Sequence, residues 1–489
     1  MVRAWLGVRV VVGLALVLGV SPALAAGKRE SIEKLAARYH EYRQFNGAVL
    51  VADEKGVVLK KAYGLANFEW RVPVAPDTKF RIASLSKQFT AMVIMQLVAE
   101  GKLGLEDSLG KLLPEYRQDT GARITLTHLL NHTSGIPNFT SHPDFGSKAA
   151  RNPIPAAEFI KQFASGDLEF EPGTKYAYSN SGYYLLGSII ERVTGRTYAQ
   201  AVQERIFDPV GMKSSGYDVS AEVLPKRASG YAAMPDGIRN AAYLEMSHPF
   251  AAGGLYSTVE DLYRWDRALR TDTLLPAALK QRMFTPGLQG YAFGWEVQPV
   301  KLDDGKTEVV LQSHRGGVEG FSTLIARSPD KKLAVIVLSN VRGSNVQGLA
   351  SGILSILHGV DPQAPRRSIA EAVMTALAKG TVAEAVATYR TLKATKPDEY
   401  RFNPGELNRL GYQLLKAGRL ADSIELFKLN VEMYPQDGNA HDSLGEAYLA
   451  RGDKALAAES YRRALELDPK NASAAKVLEE LGPLVPKAP

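Results

Sequence analysis

The chain has 489 residues, 45% of them hydrophobic and 23% charged, an ordinary globular composition with room for two or three domains. Lys and Arg number 59 against 52 Asp and Glu, a net charge of +7 with no basic block, so nucleic-acid binding gets no support. There is no cysteine, which excludes disulfides, thiol nucleophiles, cysteine-ligated metals and lipoprotein attachment through a cysteine.

Arg3 and Arg9 flank an apolar run over 10–20, followed by Ser21-Pro22-Ala23-Leu24-Ala25. A basic start, an apolar core and a small-x-small site predict a signal peptide over 1–25, cut after Ala25 or Ala26. The apolar run is short for a membrane span, so no stable span is expected after cleavage. The mature protein is expected to be secreted, in the periplasm.

Residues 29–45 carry Ile32, Leu35, Tyr39 and Tyr42 at helical spacing. Two apolar runs, 47–52 and 56–64, flank Asp53-Glu54-Lys55 and predict a β-hairpin. An apolar helix is expected from Ser84 to about 100, ended by Gly101 and Gly104. The stretch 105–275 reads as helix and loop, with helices at 126–131, 156–163, 181–193 and 258–268. Strand signals return at 293–297, 308–312, 321–326 and 333–339, and a helix at 346–357 closes the unit. Strands at both ends of a helical middle predict an α+β fold over 29–360. Its antiparallel sheet pairs the first hairpin with the late strands, beside a helical subdomain.

A linker is expected at 361–368, opened by Asp361-Pro362-Gln363-Ala364-Pro365. Beyond it Leu410-Gly411, Gly418, Phe427 and Pro435 recur 34 residues later as Leu444-Gly445, Gly452, Tyr461 and Pro469. Gly380, Tyr389 and Pro397 keep the same internal spacing upstream. A 34-residue period resembles the tetratricopeptide repeat, so 369–482 is expected to be all-α repeats. Such repeats either bind a protein partner or brace the neighbouring domain.

Ser84 and Lys87 stand three apart on one expected helix face, which brings a hydroxyl and an amine into one space. An amine in a dry site loses its proton easily and can act as a base toward that hydroxyl. The same spacing occurs at Ser31/Lys34, Ser108/Lys111 and Ser328/Lys331, so the pair alone decides nothing. No Gly-x-Ser-x-Gly elbow is present. His128 and His132 are four apart but lack the surrounding motif of a zinc hydrolase, and a structural or loop-fixing role is expected for them. No metal and no cofactor is expected.

Two further stretches stand out: Tyr176-Ala177-Tyr178-Ser179-Asn180-Ser181-Gly182, and Ser313-His314-Arg315-Gly316-Gly317-Val318-Glu319-Gly320-Phe321. Taken singly, Tyr178 reads as a core tyrosine, Asn180 as a helix N-cap and His314 as a strand-end residue. Taken in order, Ser84/Lys87, Tyr178/Asn180 and His314/Gly316 resemble the three motifs of the penicillin-recognising serine hydrolases. That superfamily includes class C β-lactamases, D-Ala-D-Ala carboxypeptidases, esterases and D-aminopeptidases. The phrases at 129–135 and 252–258 add to the resemblance, which selects Ser84 over the other three serines.

The resemblance implies Ser84 as nucleophile, Lys87 as the group that takes its proton, and Tyr178 as proton donor to the leaving group. A cationic lysine beside Tyr178 would favour the phenolate. It implies Asn180, His314, Gly316 and Gly317 as substrate-binding, with the backbone N–H groups of Ser84 and Gly317 as oxyanion hole. The third motif has His314 where most β-lactamases have lysine, and histidine is largely neutral near pH 7. Arg315 would point to the opposite face of its strand. An esterase or D-peptidase is therefore expected before an efficient β-lactamase. The substrate would be an ester, a D-amino-acid peptide or a β-lactam-like amide. The alternatives are an inactive hydrolase domain carrying a repeat scaffold, and a metal hydrolase.

Overall fold

The computed structural model describes residues 22–146 and 149–482. Residues 1–21, which hold most of the expected signal peptide, lie outside the described residues. The expected cleavage points fall within the first helix, α1 (Pro22–Glu41).

Strands β1 (Gly47–Asp53) and β2 (Gly56–Tyr63) form the expected hairpin. The late strands are β3 (Glu296–Lys301), β4 (Glu308–Val318), β5 (Phe321–Ser328) and β6 (Leu333–Ser339). All six make one antiparallel sheet in the order β3-β4-β5-β6-β1-β2. The closing pair runs from Gly47 opposite Ser339 to Ala52 opposite Ala334, so the first hairpin completes a sheet begun near the domain's end.

The period of two in β1 distributes its side chains between two cores. Ala48, Leu50 and Ala52 face one core with Ile82, Phe89 and Ile94. Val49 and Val51 face the other with Ile32 and Leu35 of α1 and Leu349 and Ile353 of a later helix, α5 (Val346–Leu357). A sheet covered on both faces explains the long apolar runs of β1 and β6.

On the first face lie α2 (Ser86–Ala99), α3 (Asn180–Thr194) and α4 (Val259–Ala268). Helix α2 is buried from Ser86 through Met95, so it forms the axis of the subdomain.

Several elements differ from the sequence expectation. Strand β4 runs on to Val318 rather than stopping at 312, because Gly316 and Gly317 carry no side chains to continue an alternating pattern. The aromatic run at 293–297 is mostly not strand: Phe293 and Trp295 are core residues, and β3 begins at Glu296. The middle of the domain also holds short strands, Tyr231–Met234, Gly237–Asn240 and Leu255–Ser257, too brief to leave a period.

The segment beyond 361 ends in a short parallel pairing of Arg367–Ser368 with Tyr400–Arg401. Seven helices follow: α6 (Ile369–Lys379), α7 (Val382–Thr395), α8 (Pro404–Lys416), α9 (Leu420–Met433), α10 (Gly438–Arg451), α11 (Lys454–Leu467) and α12 (Ala472–Leu481). The repeated glycines have a steric reason. A Cβ on Gly411 would come within 2.5 Å of the Phe427 ring, and one on Gly445 within 3.2 Å of the Tyr461 ring. Arg367 ties this region to the first domain, donating to Glu41 at 3.0 Å and lying over the Tyr42 ring at 4.6 Å.

Gly411→Val is therefore expected to destabilise the helical repeats by about 1–3 kcal/mol through overpacking. A thermal melt followed by far-ultraviolet circular dichroism should show the repeat transition at lower temperature.

Candidate active site

Ser84 sits in a tight turn, Ala83–Leu85, that leads into α2. Ala83 adopts φ of +50°, a left-handed conformation rare outside glycine, immediately before Ser84. The Ile82 carbonyl accepts from Leu85 N at 3.2 Å and from Thr323 Oγ1 at 2.9 Å, which fastens the turn to β5. The side chain of Ser84 is half-buried on the wall of a cavity of about 370 Å³.

One turn into the helix, Lys87 is fully buried at 0% exposure. Its Nζ lies 3.3 Å from Ser84 Oγ, 2.7 Å from Asn180 Oδ1 and 2.8 Å from the Ala252 carbonyl oxygen. Burial holds its pKa well below the usual lysine range. Among the described residues no carboxylate pairs with it. The two shortest contacts are to oxygens that can only accept. A neutral amine has two N–H bonds, and both are committed there. Its lone pair is left for the Ser84 hydroxyl.

Asn180 opens α3, and its amide is held from the other side by Asn138. Asn138 Oδ1 accepts from both Asn180 N and Asn180 Nδ2, each at 3.1 Å. This orients Oδ1 of Asn180 toward Lys87.

The ring of Tyr178 lies beneath the amine, with Nζ 4.8 Å from its centroid. Burial pushes the Tyr178 pKa up, with the neighbouring Ser84 hydroxyl working in the opposite direction. The expectation of a phenolate beside a cationic lysine is corrected here. Desolvation disfavours charge on both groups, so burial favours a neutral amine and a neutral phenol as the resting pair.

The third motif lies on β4. His314 is 2% exposed, with Nδ1 2.7 Å from the Arg315 carbonyl oxygen and Nε2 2.9 Å from Tyr291 Oη. A carbonyl only accepts, so Nδ1 carries the proton and Nε2 accepts from Tyr291. Burial first, and then any positive charge on Lys87, push the His314 pKa down to about 3. The expectation that His314 binds substrate directly is corrected accordingly. Both ring nitrogens are engaged, and the ring does not line the cavity.

Gly316 and Gly317 divide their duties. A Cβ on Gly316 would fall 2.5 Å from the Ile82 carbonyl oxygen, so Gly316 lets the strand press against the Ser84 turn rather than touching the cavity. Gly317 does line the cavity, together with Ser84 and Asn180. The Arg342 guanidinium covers it, its Nη1 1.8 Å from where a Cβ on Gly317 would stand. Arg315 points away, toward a depression on the other sheet face shared with Glu296.

Asn138, Arg342 and the Ala252 carbonyl escaped the sequence reading. Ala252 lies within the family-like phrase at 252–258, and Asn138 lies three residues past the one at 129–135. Of the two histidines, His128 caps its helix, its Nδ1 accepting from Thr125 N at 3.2 Å. No group of three or more His, Asp or Glu side chains among the described residues is placed to hold a metal ion.

The model of a family described as Beta-lactamase matches residues 32–358. The chain belongs to the β-lactamase family. A tetratricopeptide repeat model matches residues 408–472. Among β-lactamase-family relatives, the chain is 33% identical to penicillin-binding protein 4* of Bacillus subtilis over 64% of this chain and 72% of that protein. It is 27% identical to a D-aminopeptidase of Gluconobacter oxydans over 71% of this chain and 65% of that one. It also superposes on the crystal structure of a D-stereospecific amidohydrolase from Streptomyces sp. with a TM-score of 0.56 and 27% identity. That match covers 67% of this chain and 98% of the other. The expected α+β fold with C-terminal helical repeats stands on these matches.

Buried neutral histidines also predict how stability depends on pH. The unfolded chain takes up protons at His314 near pH 6.5, whereas the folded chain resists until about 3. Stability contributed by this group is intact above pH 6.5 and lost as pH falls toward 3. Thermal midpoints measured across that window should fall, and His314→Asn should make the fall shallower.

Proposed function

We propose that the protein is an exported serine hydrolase that works through an acyl-enzyme on Ser84. The observation that carries this reading is the commitment of both Lys87 N–H bonds to Asn180 Oδ1 and the Ala252 carbonyl. The amine lone pair is thereby aimed at Ser84 Oγ.

As Ser84 Oγ attacks a substrate carbonyl carbon, its proton passes to Lys87 Nζ. The carbonyl oxygen gains negative charge between the N–H groups of Ser84 and Gly317. The positive end of α2 favours that charge. When the tetrahedral adduct collapses, Tyr178 gives its proton to the departing oxygen or nitrogen. The proton held on Lys87 then restores the phenol. Water repeats the sequence to release the acyl group and regenerate Ser84.

Phe139, Phe145, Leu244 and Pro249 give the cavity apolar walls, and Arg342 brings a cation that forms no ion pair among the described residues. This favours a substrate with an apolar group and an anionic end over a cationic one. The D-aminopeptidase and D-stereospecific amidohydrolase relatives support D-configured peptides or amides, with small esters as surrogate substrates. A neutral His314 supplies no fixed charge where most β-lactamases have lysine, and Arg342 lies elsewhere on the cavity wall, so β-lactam hydrolysis should be weak. The basic-apolar start of the chain supports export to the periplasm, and the repeats are read as a surface for a protein partner.

Intact mass after incubation with a fluorophosphonate probe and, separately, a fluorescent penicillin tests the reading, with Ser84→Ala as control. The expected result is an adduct with the first probe, lost in the variant, and little with the second. No adduct with either would favour a scaffold without catalysis.

Because the base is a neutral amine, kcat/KM for an ester should rise with pH through the lowered Lys87 pKa and then level. The acid limb should lie well below the usual lysine range. Lys87→Arg should lower the rate by about 100-fold or more by removing the base.

A further inference from the structure

His132 is 1% exposed, adopts φ of +61°, and touches no part of the cavity. The Ala177 N–H donates to its carbonyl oxygen at 2.9 Å, and the Ser179 N–H donates to its Nδ1 at 3.1 Å. These two donors are the residues immediately before and after Tyr178. The imidazole also packs on the Tyr178 ring itself, centroid to centroid 4.2 Å. One residue therefore grips the tyrosine on both flanks and on its face.

The remaining nitrogen adds an unfavourable feature to this arrangement. Since Ser179 donates to Nδ1, the neutral ring carries its proton on Nε2. That Nε2 is buried with no hydrogen-bond partner. An orphaned buried donor typically destabilises a fold by about 1–3 kcal/mol. The left-handed backbone at a non-glycine residue adds strain. Two unfavourable features coincide on the side chain that holds Tyr178.

We propose that His132 is the positioning residue for Tyr178, fixing the phenol where it delivers its proton to the leaving group. The proposal rests on the acyl-enzyme reading above. No bond to His132 forms or breaks. Its imidazole stays neutral and holds Tyr178 by accepting the Ser179 N–H and by ring contact. Burial first, and then any positive charge that Lys87 or His314 takes on, pushes its pKa well below 6.5 and keeps it neutral.

Leaving-group dependence separates this role from a merely structural one. p-Nitrophenyl acetate and phenyl acetate share one acyl group. The first leaving group departs as a stable anion and needs little help, whereas the second depends more on a proton donor. His132→Leu is expected to lower kcat/KM for phenyl acetate about 10- to 100-fold more than for p-nitrophenyl acetate, with KM little changed. Asparagine tolerates positive φ and places an acceptor near the site of Nδ1, so His132→Asn should recover at least part of the lost selectivity. Tyr178→Phe should show the same selective loss. Adding His132→Leu to it should cost less than about twofold more, because the two residues act as one unit.

Equal losses on both esters, no rescue by asparagine, or additive losses in the double variant would each overturn the proposal. Fluorophosphonate labelling of Ser84, followed in every variant, distinguishes the two levels. A wild-type protein that is not labelled removes the acyl-enzyme reading and this one with it. Labelling retained in His132→Leu with unselective kinetics removes only the role of His132.

Discussion

A lysine amine buried without a carboxylate is the constraint on which the site depends. Charge on Lys87 would have to be carried in a dry interior, and moving an isolated ammonium there is so unfavourable that the group gives up its proton instead. The neighbours share that bias. Tyr178 is held as a phenol, and His132 and His314 as neutral imidazoles, by the same burial. The result is a set of uncharged groups, and no strong ion pair must be broken to begin.

That bias requires the elements around Lys87 to be closely fitted. Gly294, at φ of +75°, brings its loop to within 2.7 Å (measured from the position a Cβ would take) of the Lys87 carbonyl oxygen. Leu255 N donates to Ser86 Oγ at 3.2 Å, which keeps the Ala252 carbonyl in reach of the amine. Asn138 turns the Asn180 amide. The first two contacts join α2 to segments distant in the chain, and Asn180 reaches it through Lys87, so the base is assembled only when the whole first domain folds. The repeats take no part in this fit and meet the domain at Glu41 and Tyr42 through Arg367.

Much of this was legible in the chain. The first hairpin and the late strands announced a shared sheet, and the 34-residue recurrence announced the repeats, because both depend on local patterns of apolar residues and glycines. The residues of the three motifs do converge, although two of them do so differently from expectation. His314 faces inward and is saturated by the Tyr291 hydroxyl and by the backbone carbonyl of its neighbour Arg315, an outcome that residue type and motif order do not encode. The ionisation of Tyr178 depends on burial that no motif encodes. Asn138 and the Ala252 carbonyl act through geometry alone. Arg342 reaches the site from a two-residue strand, Val341–Arg342, too short to show a pattern.

The charge state of Lys87 is the central claim, and it can be read directly. Nuclear magnetic resonance of the protein labelled with carbon-13 and nitrogen-15 at lysine side chains, with Lys87→Arg to assign the signal, follows its ε-methylene and amine through a pH titration. The account predicts that Lys87 titrates well below every other lysine and is a neutral amine at neutral pH. A Lys87 signal that stays in its ammonium form up to the ordinary lysine range would contradict it.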